Sequence, residues 1–431
     1  MGNIDSKMNA RHRESIFTGG KCFNRLVIII LNLLLFSTFS SAQLGFQLSE
    51  QNDKISIPIS LHSNLIVLPL VLNHRLPLKF ILDTGVRNAV LTDRTYTDIL
   101  KIPYTKKFSI LGAGGSQLID AYLTSAVSLN LPNVTGDGHV LLVLEEDYIM
   151  LRNYLGTDIH GMLGYELFSR FVIKLDYQNR RITLYDRAKY KPSKKYIRIP
   201  LTIEDTKPYM IMPIKFENGT VIQAKLLIDT GASHGLMLDP ESNDSIVVPR
   251  NNIDAIIGRG LGGDIEGQIG RVESIILGKY ELKKFVASFP YANSYLDSLL
   301  SLKISRNGSI GGELLSRFTL ILDYSEEVMY IKKNKAFKKP NFYNLSGLTI
   351  RAVGSSLNVF EITEVRPGSN AGKIGIEKDD IILSINNIQS NKMSLNDVTG
   401  FLNSKPGKKV KLVVKRGVDL KTFTFRLYDA I

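Results

Sequence analysis

The stretch KFILDTGV at residues 79–86 decides the fold, because the same pattern returns as KLLIDTGA at residues 225–232, an offset of 146. A second pair of stretches, GYELFSRFVIKLDY at 164–177 and GGELLSRFTLILDY at 311–324, is offset by 147. Features that recur in the same order at nearly constant spacing indicate a duplicated structural unit. The sequence therefore predicts two homologous lobes of about 140 residues each.

A glycine-rich segment also repeats between these landmarks, as LGAGG at 111–115 and RGLGG at 259–263. Around it, each lobe has short apolar runs rich in Val, Ile, Leu, Phe and Tyr, separated by Gly, Asn, Asp and Pro turns. This pattern is typical of β-structure. Residues 181–185 and 328–331 are predicted to be the closing strands of their lobes, so the fold class is mainly β.

The repeated Asp-Thr-Gly places one carboxylate, Asp83 or Asp229, at the end of an apolar strand in each lobe. A pseudo-twofold axis between the lobes would bring the two carboxylates together, and like charges about 3 Å apart cannot both ionise. The ionised partner can then deprotonate a water, while the protonated partner polarises a peptide carbonyl. We predict that Asp83 and Asp229 are catalytic and that they titrate as a pair.

The next two residues of each motif support the catalytic loop. The hydroxyls of Thr84 and Thr230 can donate and accept hydrogen bonds that fix it. Gly85 and Gly231 permit a sharp turn and the close approach of a second chain segment.

With these motifs, and with an apolar-Gly element at Gly164 and Gly311, residues 55–335 resemble aspartic proteases of the retroviral-pepsin type. The resemblance implies a bilobal pepsin/retropepsin-like β-barrel protease in which β-hairpin flaps close over a peptide substrate. Neither glycine-rich segment has the flap tyrosine of pepsins, so the retropepsin-like branch is the more similar one. The implied flap and substrate-binding residues are Gly112, Gly114, Gly115, Gly260, Gly262 and Gly263.

One departure from the family pattern is Arg87, which stands where the second lobe has the more usual Ser233. A cation near the pair of Asp83 and Asp229, here called the dyad, would lower the pKa of the pair. Two other function classes are open. The first is a degenerate, non-enzymatic protein that binds peptides or acts as an adaptor. The second, a glycosidase with a carboxylate pair, is disfavoured because such enzymes do not need duplicated Asp-Thr-Gly loops.

The C-terminal part resembles a PDZ domain of the bacterial type, an α+β module, through the segment VRPGSNAGKIGIEKDDII at 365–382. Asn370 and Asp379 replace a proline and a glycine of that pattern, and 395–402 is predicted to be its helix. PDZ domains accept an extended peptide as an extra strand and hold its terminal carboxylate with backbone N–H groups. By similarity those groups lie near Gly347 and Leu348. The alternative is that this module only packs on the protease lobes.

The sequence predicts no metal or other cofactor. His160 and His234 lie near the motifs, yet neither has a partner at ligand spacing. The glycine-rich loops lack the Gly-Lys-Ser/Thr ending of a phosphate cradle. Asp176 and Asp323 repeat as well, but they precede turns and are interpreted as hairpin residues.

Residues 1–42 read as a cleaved secretory signal peptide, with basic residues before an apolar run and small residues before a cleavage site after Ala42. An uncleaved membrane anchor is the alternative. Cleavage would remove Cys22, the one cysteine, and leave no thiol or disulfide in the exported chain.

The predicted location is the periplasm or the outside of the cell. The predicted domains are 1–42, 43–190, 191–335 and 336–431.

The formal net charge of the chain is +13, of which about +10 remains after residue 42. The positive charges are dispersed, and no nucleic-acid-binding motif accompanies them, so a nucleic-acid partner is not expected. Weak attraction to an anionic membrane surface or to acidic substrates is compatible with this charge. The predicted partners are a protein or peptide substrate and a C-terminal peptide ligand of the PDZ module.

Overall fold

The computed structural model describes residues 44–49, 52–112, 114, 118–292 and 305–431. The predicted signal peptide with Cys22, and the predicted flap residue Gly115, lie outside the described residues. The described chain is mainly β, which confirms the predicted fold class. No helix in these ranges is long and apolar enough to cross a membrane.

The first lobe is built from short strands, with short helices between some of them. Its strands are β1 (Gly45–Leu48), β2 (Lys54–Pro58), β3 (Ser60–His62), β4 (Leu65–Leu72), β5 (Leu76–Leu82), β6 (Ala89–Leu91), β7 (Lys106–Leu111), β8 (Leu118–Val127), β9 (Leu129–Asn130), β10 (Val134–Asp137), β11 (His139–Leu144), β12 (Gly161–Leu163), β13 (Val172–Asp176) and β14 (Arg181–Tyr185). Its helices are α1 (Thr95–Ile99), α2 (Leu151–Leu155) and α3 (Tyr165–Phe168).

The second lobe repeats this plan. Its strands are β15 (Ile197–Pro200), β16 (Thr202–Glu204), β17 (Lys207–Lys215), β18 (Val221–Ile228), β19 (Leu236–Leu238), β20 (Asn252–Gly260), β21 (Gly263–Leu277), β22 (Tyr280–Pro290), β23 (Gly308–Ile310), β24 (Phe318–Asp323) and β25 (Val328–Lys333), and the short helix α4 (Gly312–Leu315) follows β23. Single 3₁₀ turns lie at Pro240–Ser242 and Lys335–Lys338.

The large sheets of the two lobes have the same strand order. In the first lobe it is β3-β4-β5-β12-β6-β11-β8-β7, and in the second it is β16-β17-β18-β23-β19-β22-β21-β20. The strand that leads into Asp-Thr-Gly, β5 or β18, pairs in parallel with the short strand β12 or β23. Both Asp-Thr-Gly motifs are therefore placed by equivalent strands.

A third sheet joins the lobes, in the order β15-β25-β24-β13-β14-β2. Its central pair is β13 with β24, which are equivalent strands of the two lobes and place Leu175 opposite Leu320. Both side chains are fully buried. The strands predicted to close each lobe are β14 and β25 of this sheet.

The C-terminal domain has its own hydrophobic core, centred on residues such as Phe360 and Val398. Its strands are β26 (Leu348–Val353), β27 (Val359–Val365), β28 (Ile381–Ile385), β29 (Ile388–Gln389), β30 (Lys409–Arg416) and β31 (Asp419–Arg426), and its helices are α5 (Asn370–Lys373) and α6 (Leu395–Leu402), with a 3₁₀ turn at Ser390–Lys392. The sheet order is β26-β27-β28-β30-β31, so β26 is an edge strand. The helix predicted at 395–402 is α6, which begins with a capping box of Ser394 and Asp397.

Candidate active site

Each predicted catalytic aspartate is anchored by the same backbone hydrogen bond. The N–H of Asp83 donates to the carbonyl of Leu163, and the N–H of Asp229 donates to the carbonyl of Ile310, both at 2.9 Å. These bonds continue the parallel pairing of β5 with β12 and of β18 with β23. The two loops therefore leave their lobes in matching conformations.

Thr84 and Thr230 connect the two loops by four buried hydrogen bonds. The N–H of Thr84 donates to the hydroxyl of Thr230 at 3.1 Å, and the N–H of Thr230 donates to the hydroxyl of Thr84 at 3.0 Å. The hydroxyl of Thr84 in turn donates to the carbonyl of Ile228 at 2.5 Å, and that of Thr230 donates to Leu82 at 2.7 Å. Both threonine side chains are fully buried, so these bonds are shielded from water.

The carboxyl groups of Asp83 and Asp229 are brought together by this connection. Each accepts the N–H of its own glycine, from Gly85 at 2.7 Å and from Gly231 at 3.0 Å. A Cβ atom at Gly231 would overlap the carboxyl group of Asp83, so glycine is needed for the close approach of the loops. One carboxyl from each lobe thus faces the same space.

Burial and mutual repulsion hold protons on this pair. Burial, and then the charge of Asp229, raise the pKa of Asp83 to about 7. Burial also raises the pKa of Asp229, and the positive charges of Arg306 and Lys207 oppose that change. Because the two carboxyls interact electrostatically, they titrate as one unit, and one proton is retained between them as the pH approaches neutrality.

Arg87 does not point to the dyad, contrary to our expectation from the sequence. Its guanidinium pairs with the carboxylate of Asp205 in the second lobe. The cations that act on the dyad are instead Lys207 and Arg306, which line the same cleft. Sequence reasoning missed both residues because no motif marks them. The one available signal was that Lys207 begins the second strand of the β16–β17 hairpin, which is equivalent to the β3–β4 hairpin of the first lobe.

The predicted flaps are β-hairpins whose tips meet. One hairpin is formed by β7 and β8, and the other by β20 and β21. A Cβ atom at Gly112 would overlap Leu261 and Gly262, and one at Gly114 would overlap Gly263. Gly114 also has a φ of +98°, which disfavours any other residue. Gly260 ends β20 at the tip of the second hairpin.

The dyad opens into a cleft of about 670 Å³ that is bounded by both lobes, the second hairpin and the C-terminal domain. The residues that the C-terminal domain contributes are Thr349, Thr363 and Glu364. The hydroxyl of Thr349 donates to Glu364 at 3.0 Å. The C-terminal domain is therefore a wall of the cleft as well as a separate module.

The peptide-binding edge expected for a PDZ domain is covered in part by α2. The side-chain amide of Asn153 donates to the carbonyl of Ala352 on β26 at 2.7 Å, and Arg152 donates to Ser355 at 2.6 Å. The expected peptide groove lies between β26 and α6. On the α6 side, the side-chain amide of Asn396 donates to the carbonyl of Leu61 at 3.3 Å. The protease lobe thus contacts both elements between which a peptide strand would lie.

The two backbone groups predicted to hold a carboxylate bind within their own loop. The N–H of Gly347 donates to the carbonyl of Asn344 at 3.1 Å, and the N–H of Leu348 donates to the hydroxyl of Ser346 at 3.2 Å. A carboxylate would have to displace these acceptors.

The other candidate residues have structural partners. Asp176 accepts the N–H of Asn179, and Asp323 accepts the hydroxyl of Ser325, as expected for turn residues. His160 accepts the N–H of Lys79 at 2.9 Å. His234 lies 2.9 Å from the hydroxyl of Ser309, and burial lowers its pKa to about 4, so it is neutral.

Among the described residues, no group of three or more His, Cys, Asp or Glu side chains could hold a metal ion.

Comparison with known families agrees with this geometry. Residues 68–167 and 212–304 match the family model described as aspartyl protease, and residues 361–416 match the model described as PDZ domain. No curated protein matches the chain. The predicted recognition is confirmed, since a retropepsin-like aspartyl protease domain precedes a C-terminal PDZ domain.

Proposed function

Because this chain joins a two-lobed aspartyl protease domain to a PDZ domain, we propose that it is an aspartic endopeptidase with Asp83 and Asp229 as its catalytic pair. The observation that carries the proposal is the pair of carboxyls, one from each lobe, held together by the crossed bonds of Thr84 and Thr230. A peptidase of this kind needs no other acid or base.

In the proposed reaction, the ionised carboxylate of the pair takes a proton from a water whose oxygen attacks the peptide carbonyl carbon. The protonated partner gives its proton to the carbonyl oxygen, and a tetrahedral diol forms. The carboxyl that took the water proton gives it to the amide nitrogen. As the C–N bond breaks, one hydroxyl of the diol returns its proton to the other carboxylate, and a carboxyl and an amine are released. The pair ends with one proton, as it began.

We propose that the PDZ domain takes part in peptide recognition as a wall of the cleft, through Thr349, Thr363 and Glu364. We also propose export through residues 1–42. N-terminal sequencing of the processed protein tests export, and a mature terminus at Gln43 is expected.

The experiment for the activity is cleavage of a mixed peptide library between pH 3 and pH 8 by the mature protein. Asp83→Asn and Asp229→Asn variants run beside it, with a pepstatin-type inhibitor as a further arm. We expect cleavage by the parent protein and loss of cleavage in both variants. If either variant remained fully active, the proposed mechanism would be wrong.

A further inference from the structure

Lys207 lines the cleft that contains the dyad, and its position there is fixed by the turn before it. It is the first residue of β17 and lies opposite Glu204 across a two-residue turn, Asp205-Thr206. Both turn residues have positive φ, 45° and 70°, as in the tight hairpins whose twist matches that of the strands. Arg87 of the first lobe holds Asp205 by an ion pair, so both lobes fix the turn that presents Lys207.

The equivalent residue of the first lobe is apolar. In the hairpin of β3 and β4, Leu65 lies opposite His62 across the turn of Ser63 and Asn64, as Lys207 lies opposite Glu204. Leu65 and Lys207 both line the cleft with the dyad. The cleft therefore has one apolar and one cationic side at symmetry-related places, which gives a bound peptide two different environments.

No carboxylate of the described residues lies within ion-pair distance, 4.0 Å, of the Lys207 ammonium group, although its side chain is half-buried. Asp205, the acid in the adjacent turn, already pairs with Arg87. Burial and the nearby charge of Arg306 lower the pKa of Lys207, whereas Asp205 and the dyad raise it. A half-buried cation of this kind is stabilised by an incoming anion.

We propose that Lys207 is a specificity-determining residue that selects a peptide substrate with an acidic side chain, Asp or Glu, beside the scissile bond. The inference rests on the proposed peptidase function and adds a substrate class to it. Lys207 lines the cleft beside the dyad and has no ion-pair partner among the described residues, so an acidic side chain bound there would supply its counter-charge. An ion pair formed with this half-buried lysine is worth more than a solvent-exposed ion pair.

The test uses pairs of synthetic peptides that differ only by Glu or Gln at single positions on either side of the cleaved bond. For the parent protein, we expect kcat/KM to be about tenfold higher for the Glu peptide at one position, equivalent to about 1.4 kcal/mol. Lys207→Leu, which copies the residue of the first lobe, should remove this preference. Lys207→Arg should keep it, and Lys207→Glu should reverse it toward the Gln peptide.

Lys215→Gln is the matched control, because this lysine lies at the other end of the same strand and is exposed. It should leave the preference unchanged. Lys207→Leu variants that discriminate Glu from Gln as the parent does, or a parent that does not discriminate, would overturn the proposal. So would an equal change in kcat for both peptides, which is the expected result if Lys207 only sets the protonation of the dyad.

Binding of the same peptides to Asp229→Asn separates this inference from the proposed function. If the parent cleaves nothing, tighter binding of the Glu peptide that depends on Lys207 still supports an acid-selective cleft. Equal binding of the Glu and Gln peptides in this background overturns the inference, whatever the parent cleaves.

Discussion

Thr84 and Thr230 bind each other's backbone N–H groups across the two lobes, at 3.1 and 3.0 Å, and so hold the two Asp-Thr-Gly loops together. Thr230→Val keeps the volume of the side chain but removes its hydroxyl. The N–H of Thr84 and the carbonyl of Leu82 would then lack partners, at about 1 to 3 kcal/mol for each buried group. We expect a lower free energy of unfolding in urea and a loss of peptidase activity.

Thr230→Ser is the control for this change because it keeps the hydroxyl and loses only a methyl group. It should retain most of the activity. If Thr230→Val were as stable and as active as Thr230→Ser, the crossed bonds would not be what aligns the dyad.

The raised pKa of Asp83 makes the stability of the protein depend on pH. Between the ordinary value near 3.8 and about 7, the folded state binds more protons at this site than the unfolded state does. The free energy of unfolding therefore falls as pH rises through this window. Asp83→Asn has no proton to lose, so its stability relative to the parent should rise from pH 4 to pH 7 by an amount on the order of a few kcal/mol.

Urea titrations of the two proteins at pH 4, 5, 6 and 7 measure this difference. Parallel stability curves across that range would mean that the pair is not desolvated in the folded protein.

The sequence predicted the duplicated lobes and the mainly β fold because repetition and strand patterning are local properties of the chain. It also identified Asp83 and Asp229 as candidate catalytic residues, since each follows an apolar strand at the same place in its repeat. It could not predict that Arg87 turns away to Asp205, because that pairing joins residues from different lobes. Lys207 was missed because no motif marks it and because the cleft that it lines is formed only by the assembled lobes.

The meeting of the hairpin tips predicts a specific sensitivity at Gly114. An alanine there would overlap Gly263 and would also hold an unfavourable φ of +98°. We expect Gly114→Ala to raise KM for a peptide substrate, because the hairpins can no longer meet over the cleft. Steady-state kinetics with one cleaved peptide measures this effect.

Gly219→Ala is the matched control, because Gly219 has a similar φ of +89° and no atom within 4 Å of its Cβ position. It carries the same backbone penalty, roughly 1 kcal/mol, without the overlap. An equal rise of KM in both variants would indicate a general loss of stability and not a change at the hairpin tips.

The contact of α2 with the PDZ edge strand predicts that the edge is protected in the intact chain. Asn153→Ala removes the hydrogen bond to the carbonyl of Ala352, which is worth about 1 kcal/mol. Because local opening free energies set hydrogen exchange, amides of β26 (Leu348–Val353) should exchange about fivefold faster. Mass spectrometry of the exchanged full-length protein measures this, with Asn179→Ala, which loses a bond to Asp176 within a turn, as the control. If exchange in β26 were the same in Asn153→Ala and Asn179→Ala, α2 would not close the edge, and a peptide could add to β26 without displacing the protease lobe.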